Sequence, residues 1–276
     1  MKLLRPRTLD ETLQLLAAGD GALRPIAGGT DLMVSWHHHD KTAWTLLDLS
    51  LLDAELRPLR LSDDALELGA LTTYWDVIRS PDAARDFPLL VDAARQVGAI
   101  QIQTRGTWAG NVANASPAAD GVPVMMAYDA AVRLASASGR REVPLADFYT
   151  GYRQTRRAAD ELIVGLRMPR RRRAFEWFHK VGARQAQAIA KVGVAMVRDP
   201  AGWRVAANSV APFVCRCRHL EAALDSGRRF ASPDDVRRVV SHDVSPIDDM
   251  RSTARYRLNV LSRLIYFRLQ ESSTCT

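Results

Sequence analysis

Two short glycine-bearing runs constrain this chain more than any other feature. One is Ile26-Ala-Gly-Gly-Thr-Asp-Leu32; the other, about 80 residues further on, is Arg105-Gly-Thr-Trp-Ala-Gly-Asn-Val-Ala-Asn-Ala-Ser-Pro-Ala-Ala-Asp120. Each sets glycine beside small hydroxyl or amide side chains, closes on an aspartate, and is flanked by apolar, strand-like residues. Glycine has no Cβ to hold an anion off the backbone, so such runs bring bare N–H groups close to phosphate oxygens. One such turn is weak evidence. Two predict a single extended, phosphate-bearing cofactor held at two points.

The chain is large enough to frame such a ligand. Its 276 residues, 47% of them hydrophobic, suffice for a packed core and two or three subdomains. No apolar run reaches the roughly 18 residues of a membrane span. The start, Met1-Lys-Leu-Leu-Arg-Pro, lacks the apolar stretch and small-residue cleavage site of a secretory leader. Cys215 and Cys217 lie two apart and Cys275 is next to last. That is poor metal-ligand spacing and an odd count for a disulfide framework, so free thiols in a reducing cytoplasm are expected, and no iron–sulfur cluster within this chain. The net charge of +7 comes mostly from arginine, with one run at Arg170–Arg173. A nucleic-acid patch needs a recognition motif or interleaved aromatics, and neither accompanies the run. It reads as a solvated inter-domain turn, compatible with docking an acidic protein.

Periodicity places the runs. Thr8-Leu-Asp-Glu11 predicts a capping box before a helix ending at Gly19. Arg24–Ala27 and Trp44–Leu49 read as strands around a helix begun near Asp31, a βαβ-like unit of about 50 residues. Leu59–Leu71 predicts a hairpin around Ser62-Asp-Asp64. Helices follow at Thr73–Ser80 and Leu89–Val97, a buried helix at Val122–Tyr128, and paired strands at Ala130–Ala135 and Gly139–Val143. Ala174–Val181, Lys191–Arg198 and Trp203–Asn208 predict three strands, the last two joined by Pro200-Ala-Gly202. Helices then close the chain at 218–226, from the Ser232 cap with Pro233 in its first turn, and over Arg251–Leu269.

With these residues in place, the chain resembles the FAD-binding medium subunit of the molybdenum hydroxylases, the xanthine dehydrogenase and carbon monoxide dehydrogenase family. Ala27–Leu32 is similar to the family's first flavin loop, and Arg105–Asn111 with Ala115–Asp120 to the second. Gly69–Thr73, Phe148–Tyr152, Ile189–Val192, Val210–Pro212 and Asp249–Arg257 match further signatures in order. The resemblance implies an α+β chain with a two-subdomain, PCMH-type FAD-binding fold (1–55 and 56–170). A C-terminal α+β domain (174–276), with a three-stranded antiparallel sheet and helices, would shelter the flavin ring.

It also implies site residues. The first loop would contribute Ile26, Ala27, Gly28, Gly29, Thr30, Asp31 and Leu32. The second would contribute Thr107, Gly110, Asn111 and Asn114, with Asp120 accepting from a flavin-side hydroxyl or amine. Lys191 matches a cofactor-contacting lysine. Burying a diphosphate of about two negative charges needs several charge-assisted hydrogen bonds, which backbone N–H groups of Gly28, Gly29, Thr30, Gly110 and Asn111 would supply, with side-chain donors from Thr30, Thr107 and Asn114. Plainer roles stay open: Asp31 as a helix cap, Asp120 as a turn former, Lys191 as a surface charge. No catalytic acid, base or nucleophile is assigned, and no metal site: three adjacent histidines, His37–His39, point alternately on an extended loop.

The chain departs from the family pattern in three places, one of them Asn208-Ser-Val-Ala-Pro212, which lacks the small glycine pair common there. Trp108-Ala109 replaces an apolar residue and a glycine, and Ser35-Trp36-His37-His38-His39 replaces a basic residue and glycine. Three functions are weighed. In the first, FAD takes electrons from a partner's iron–sulfur clusters and passes them to NAD, quinone or oxygen, with a further subunit carrying the molybdenum cofactor. In the second, a free-standing, homo-oligomeric or monomeric FAD enzyme oxidises a small molecule directly, in an open cavity at the flavin for which Tyr149, Tyr152 and Trp177 are the lining candidates. In the third, the fold has lost its redox role. A nucleic-acid partner is not expected.

Overall fold

The computed structural model describes residues 1–19, 21–36 and 44–274. Its first strand, β1 (Lys2–Leu4), precedes α1 (Leu9–Ala18), β2 (Leu23–Ile26), α2 (Thr30–Ser35) and β3 (Thr45–Asp48). These strands form a parallel sheet in the order β1-β3-β2. β1 was not expected: three residues are too few to show alternation. Thr8 caps α1 by accepting from Glu11 N, but Glu11 Oε2 reaches Arg7 N at 2.7 Å rather than closing the box on Thr8.

After α3 (Asp53–Leu56), the hairpin β4 (Leu59–Leu61) and β5 (Ala65–Gly69) leads into six helices: α4 (Tyr74–Ile78), α5 (Pro81–Asp86), α6 (Pro88–Arg95), α7 (Ile100–Gln103), α8 (Trp108–Asn114) and α9 (Gly121–Ala127). β6 (Ala131–Ser136), β7 (Gly139–Pro144), the small hairpin β8 (Tyr149–Gly151) and β9 (Gln154–Thr155), and β10 (Leu162–Pro169) follow. An antiparallel sheet runs β4-β5-β10-β6-β7. The helix expected from Thr73 does end before Pro81, at Ile78, and Pro81 then opens a further helix, α5, behind the Ser80 cap, because proline at the first helical position loses no hydrogen bond.

The last part holds β11 (Phe175–Val181), β12 (Val192–Asp199), β13 (Gly202–Asn208), β14 (Cys215–Arg216) and helices α10 (Arg218–Asp225), α11 (Pro233–Val240) and α12 (Ala254–Thr274). The expected three-stranded sheet has four strands, in the order β11-β12-β13-β14. The fourth is two residues long, Cys215 and Arg216, paired with Ala207 and Ala206, and so carries no period of its own.

β12 is buried along nearly its whole length, which its run Val-Gly-Val-Ala-Met-Val anticipates, since strands covered on both faces lose alternation. Val192, Val194 and Met196 belong to a core shared with α10, α11 and α12, whereas Ala195 and Val197 join the larger core that contains α9. The sheet is thereby sandwiched, and the segment from Ser116 to Asp120 is fastened to it. Ser209 N donates to Pro117 O at 2.7 Å and Asn208 Nδ2 to Ala119 O at 2.9 Å.

Candidate functional site

The two glycine runs meet. A Cβ on Gly28 would lie 1.7 Å from Arg105 O, so this position admits only hydrogen: the backbones of the two runs press directly on one another. Gly29, at φ +72°, caps α2 from the left-handed region without a side-chain bond. The cap is therefore Gly29 and not Asp31. Asp31 instead accepts from Asn114 Nδ2 at 2.8 Å, tying one run to the other. The Gly69–Thr73 turn joins them: Tyr74 N donates to Gly106 O and Trp108 N to Thr72 O, both at 3.2 Å.

Between them opens a cavity of about 520 Å³, within the range of small-molecule and cofactor sites. All seven residues from Ile26 to Leu32 line it, as do Thr107, Gly110, Asn111 and Asn114. Arg24, Tyr74, Arg153, Arg157 and Glu161 also line it and were not foreseen. Arg24 sits one pleat before the first run. Arg153 stands in the β8–β9 turn at φ +54°, where the sequence offers no glycine beyond Gly151 to flag the bend.

Asp120 and Lys191 stand apart from this lining. Asp120 is buried against Lys180, whose Nζ donates to Asp120 Oδ2 at 2.6 Å and to Gln96 O at 2.8 Å. Burial pushes the Asp120 carboxyl up to about 6, against the pull of Lys180, and its Oδ1 has no partner. Lys191 lies with Nζ 5.7 Å from the Tyr256 ring. Its carbonyl accepts from Arg257 Nη1 at 2.8 Å, and the buried Arg257 also binds Ser209 O and Asp249 Oδ1. The Ile189–Val192 and Asp249–Arg257 signatures are thus one local assembly.

The second run forms α8. Thr107 Oγ1 accepts from Gly110 N and Thr107 O from Asn111 N, each at 3.0 Å. Those two N–H groups, expected to face an anion, are spent inside the helix. Ala109 sits within α8 and is absent from the left-handed region, so its methyl replaces glycine without backbone strain. Trp108 is fully buried, 5.0 Å from the Tyr74 ring and edge-on against Gly121, and does not line the cavity. It fills core. Its Nε1 and Asn111 Oδ1 lack partners.

Electrostatics divide the cavity. Desolvation raises the Asp31 carboxyl, opposed by Arg153. Burial, with Asp31 and Asp120 nearby, holds the Tyr74 phenol well above its ordinary value, so it stays protonated. Burial lowers the Arg157 guanidinium from its ordinary value, only partly offset by Glu161 and Asp160. His37–His39 lie outside the described residues, and among the described residues no cluster could hold a metal ion. No helix among them is long and apolar enough to cross a membrane.

Comparison with known proteins agrees with this geometry. Residues 1–171 match the family model described as the FAD binding domain in molybdopterin dehydrogenase. Residues 177–272 match the CO dehydrogenase flavoprotein C-terminal domain. The chain is 30% identical to a xanthine dehydrogenase FAD-binding subunit of Escherichia coli, covering 94% of this chain and 91% of that protein. It is 26% identical to the carbon monoxide dehydrogenase medium chain of Hydrogenophaga pseudoflava, over 94% and 92%. A solved structure of carbon monoxide dehydrogenase from the same organism superposes with a TM-score of 0.87 at 28% identity, covering 96% of this chain and 94% of that one. The matched models, the coverage and the shared fold agree: this chain belongs to the FAD-binding medium-subunit family of the molybdenum hydroxylases, the group of xanthine and carbon monoxide dehydrogenases.

Proposed function

We propose that this chain is the electron-transfer subunit of a cytoplasmic molybdenum hydroxylase, holding FAD between an iron–sulfur subunit that reduces it and NAD, quinone or oxygen that reoxidises it. A further subunit would carry the molybdenum cofactor and the organic substrate. The observation that carries this reading is the cavity between the two glycine runs.

The residues present fit FAD. The cavity is partly apolar and lined by both runs. The N–H groups of Gly28 and Gly29 make no hydrogen bond among the described residues, and Gly28 presents no Cβ. The parallel sheet of residues 1–55 and the antiparallel sheet of 56–170 would supply the two walls, with the domain of 174–276 beside the flavin ring. Asp120, with its buried, unpartnered Oδ1, and Lys191 lie outside the cavity lining and would meet only a part of the cofactor that extends beyond it toward the C-terminal domain.

FAD, when bound, supplies the redox chemistry itself. The chain's tasks are to bind, orient and insulate. Ile26, Leu32, Leu162 and Ile163 give apolar wall. Thr30 and Asn114 offer hydroxyl and amide groups, and Asn114 is already oriented by Asp31. No side chain in the cavity is asked to move a proton.

The test is to express the chain with and without its neighbouring subunits. A yellow complex that releases FAD on denaturation, and whose flavin is bleached by substrate only when the iron–sulfur partner is present, is the expected result. A yellow chain that turns over a small molecule alone supports the free-standing reading instead, and a chain that takes up no FAD ends the redox reading.

A further inference from the structure

The backbone donors expected of the second run are already spent, since Gly110 N and Asn111 N bond within α8. The positive charge of this cavity lies elsewhere. Arg24, Arg153 and Arg157 all line it, and among the described residues none of the three forms an ion pair with a carboxylate. Arg24 lies over Trp44 at 4.3 Å, and Arg153 lies 5.9 Å from the Tyr152 ring, ring contacts that leave the guanidinium edges without a side-chain partner among the described residues.

Arg157 is the most constrained. It is half-buried, and a single nitrogen, Nη1, donates to Ala158 O at 3.0 Å and Glu161 O at 2.7 Å. Its Nε and Nη2 make no hydrogen bond among the described residues. The neighbouring carboxylate of Glu161 is taken by Arg141 Nε and Nη2, at 2.5 and 2.8 Å, and by Ala158 N at 2.7 Å. A guanidinium so pinned and partly desolvated, with Glu161 and Asp160 offsetting its burial only in part and no carboxylate paired to it among the described residues, favours a ligand that supplies negative charge. Two parallel N–H groups on a planar fork match phosphate oxygens.

Resting on the reading of this cavity as an FAD site, we propose that Arg157, with Arg24 and Arg153, is a side-chain clamp for the diphosphate of the cofactor. Side-chain charge then does here what the backbone of the second run cannot. The first run meets the same group with the N–H groups of Gly28 and Gly29, and the ADP half becomes the tightly held end. Affinity would depend on the diphosphate and on salt, because exposed Arg24 and Arg153 are screened by ions.

The experiment uses the full chain stripped of cofactor and measures binding of FAD, riboflavin and ADP to wild type, Arg157→Leu, Arg157→Lys and the Arg24→Ala/Arg153→Ala pair. Circular dichroism and melting confirm folding. Arg157→Leu is expected to weaken FAD and ADP about ten- to a hundredfold while leaving riboflavin unchanged, as loss of a charge-assisted contact predicts. Arg157→Lys should recover part of the loss, and the double variant should flatten the salt dependence. Wild-type affinity for FAD in Arg157→Leu, or an equal loss for FAD and riboflavin, overturns the clamp while leaving the FAD site standing. If wild type binds neither flavin, the FAD reading fails. The clamp is then judged on ADP alone: binding lost in Arg157→Leu supports it, and no binding overturns it.

Discussion

At the scale of single residues, the site is decided by what cannot be added. Gly28→Ala would drive a methyl into Arg105 O, and because the obstacle is backbone, no rotamer change relieves it. A loss of at least about 1–3 kcal/mol is expected, with FAD content falling alongside melting temperature; a variant that keeps both shows that the runs do not press together. The Asp120–Lys180 pair makes a second prediction. The Asp120 carboxyl, held up to about 6 in the fold, binds a proton more readily than in the unfolded chain. Its own contribution to stability is therefore fullest below the unfolded value of about 4 and is lost as pH rises through the folded value. Lys180→Met removes the one group that lowers it and leaves a buried charge alone. The cost should be about 3–5 kcal/mol at alkaline pH and should shrink as Asp120 protonates in acid. Urea denaturation across that range checks it, and a pH-independent deficit would count against the pair. The Asp120–Lys180 pairing was not legible beforehand, since the two lie 60 residues apart.

At the scale of elements, caps did most to make the fold readable. Ser232 before Pro233 and the Pro200-Ala201 turn announce α11 and the β12–β13 hairpin, and both stand where expected. Thr107 is a cap of the same kind that also borders the cavity. Ser232→Ala and Thr107→Ala should each cost about 1 kcal/mol. Only the second should also weaken FAD, because it frees Gly110 N and loosens the start of α8. Equal flavin affinities in the two variants would confine Thr107 to capping. Elements that escaped the reading are those too short to show a period, such as β1, β8, β9 and β14, or a short helix such as α5 that a proline opens just after another helix has ended.

At the scale of the whole molecule, Asp129 is the pin. Its carboxylate receives Arg171 Nη1 at 2.8 Å, Arg204 Nε at 2.5 Å and Arg216 Nη1 at 3.2 Å. It thereby joins the turn after α9 to the start of the C-terminal part and to β13 and β14. The arginine run that looked like a solvated turn is partly consumed here, Arg171 also reaching Asp199. Asp129→Asn keeps a residue tolerant of its φ of +55° but removes the charge that three guanidinium groups share. A destabilisation of about 1–3 kcal/mol is expected, with denaturation of the C-terminal sheet separating from the rest; a single unchanged transition would show that the pin carries no coupling.

The family, the fold class, the cofactor and the first glycine run are local matters, written as turn chemistry, caps and alternation within a few residues of one another. They were readable before any coordinates. What only the tertiary structure decided is which groups converge. Eleven of the thirteen expected site residues line one cavity, but Arg153 and Arg157 reach it from the distant β8–β9 segment to stand with Arg24 beside the first run. Trp108 turned into the core, and the N–H groups of the second run were spent within α8. Periodicity carries no information about such meetings, because they depend on how sheets and helices stack across long sequence separations.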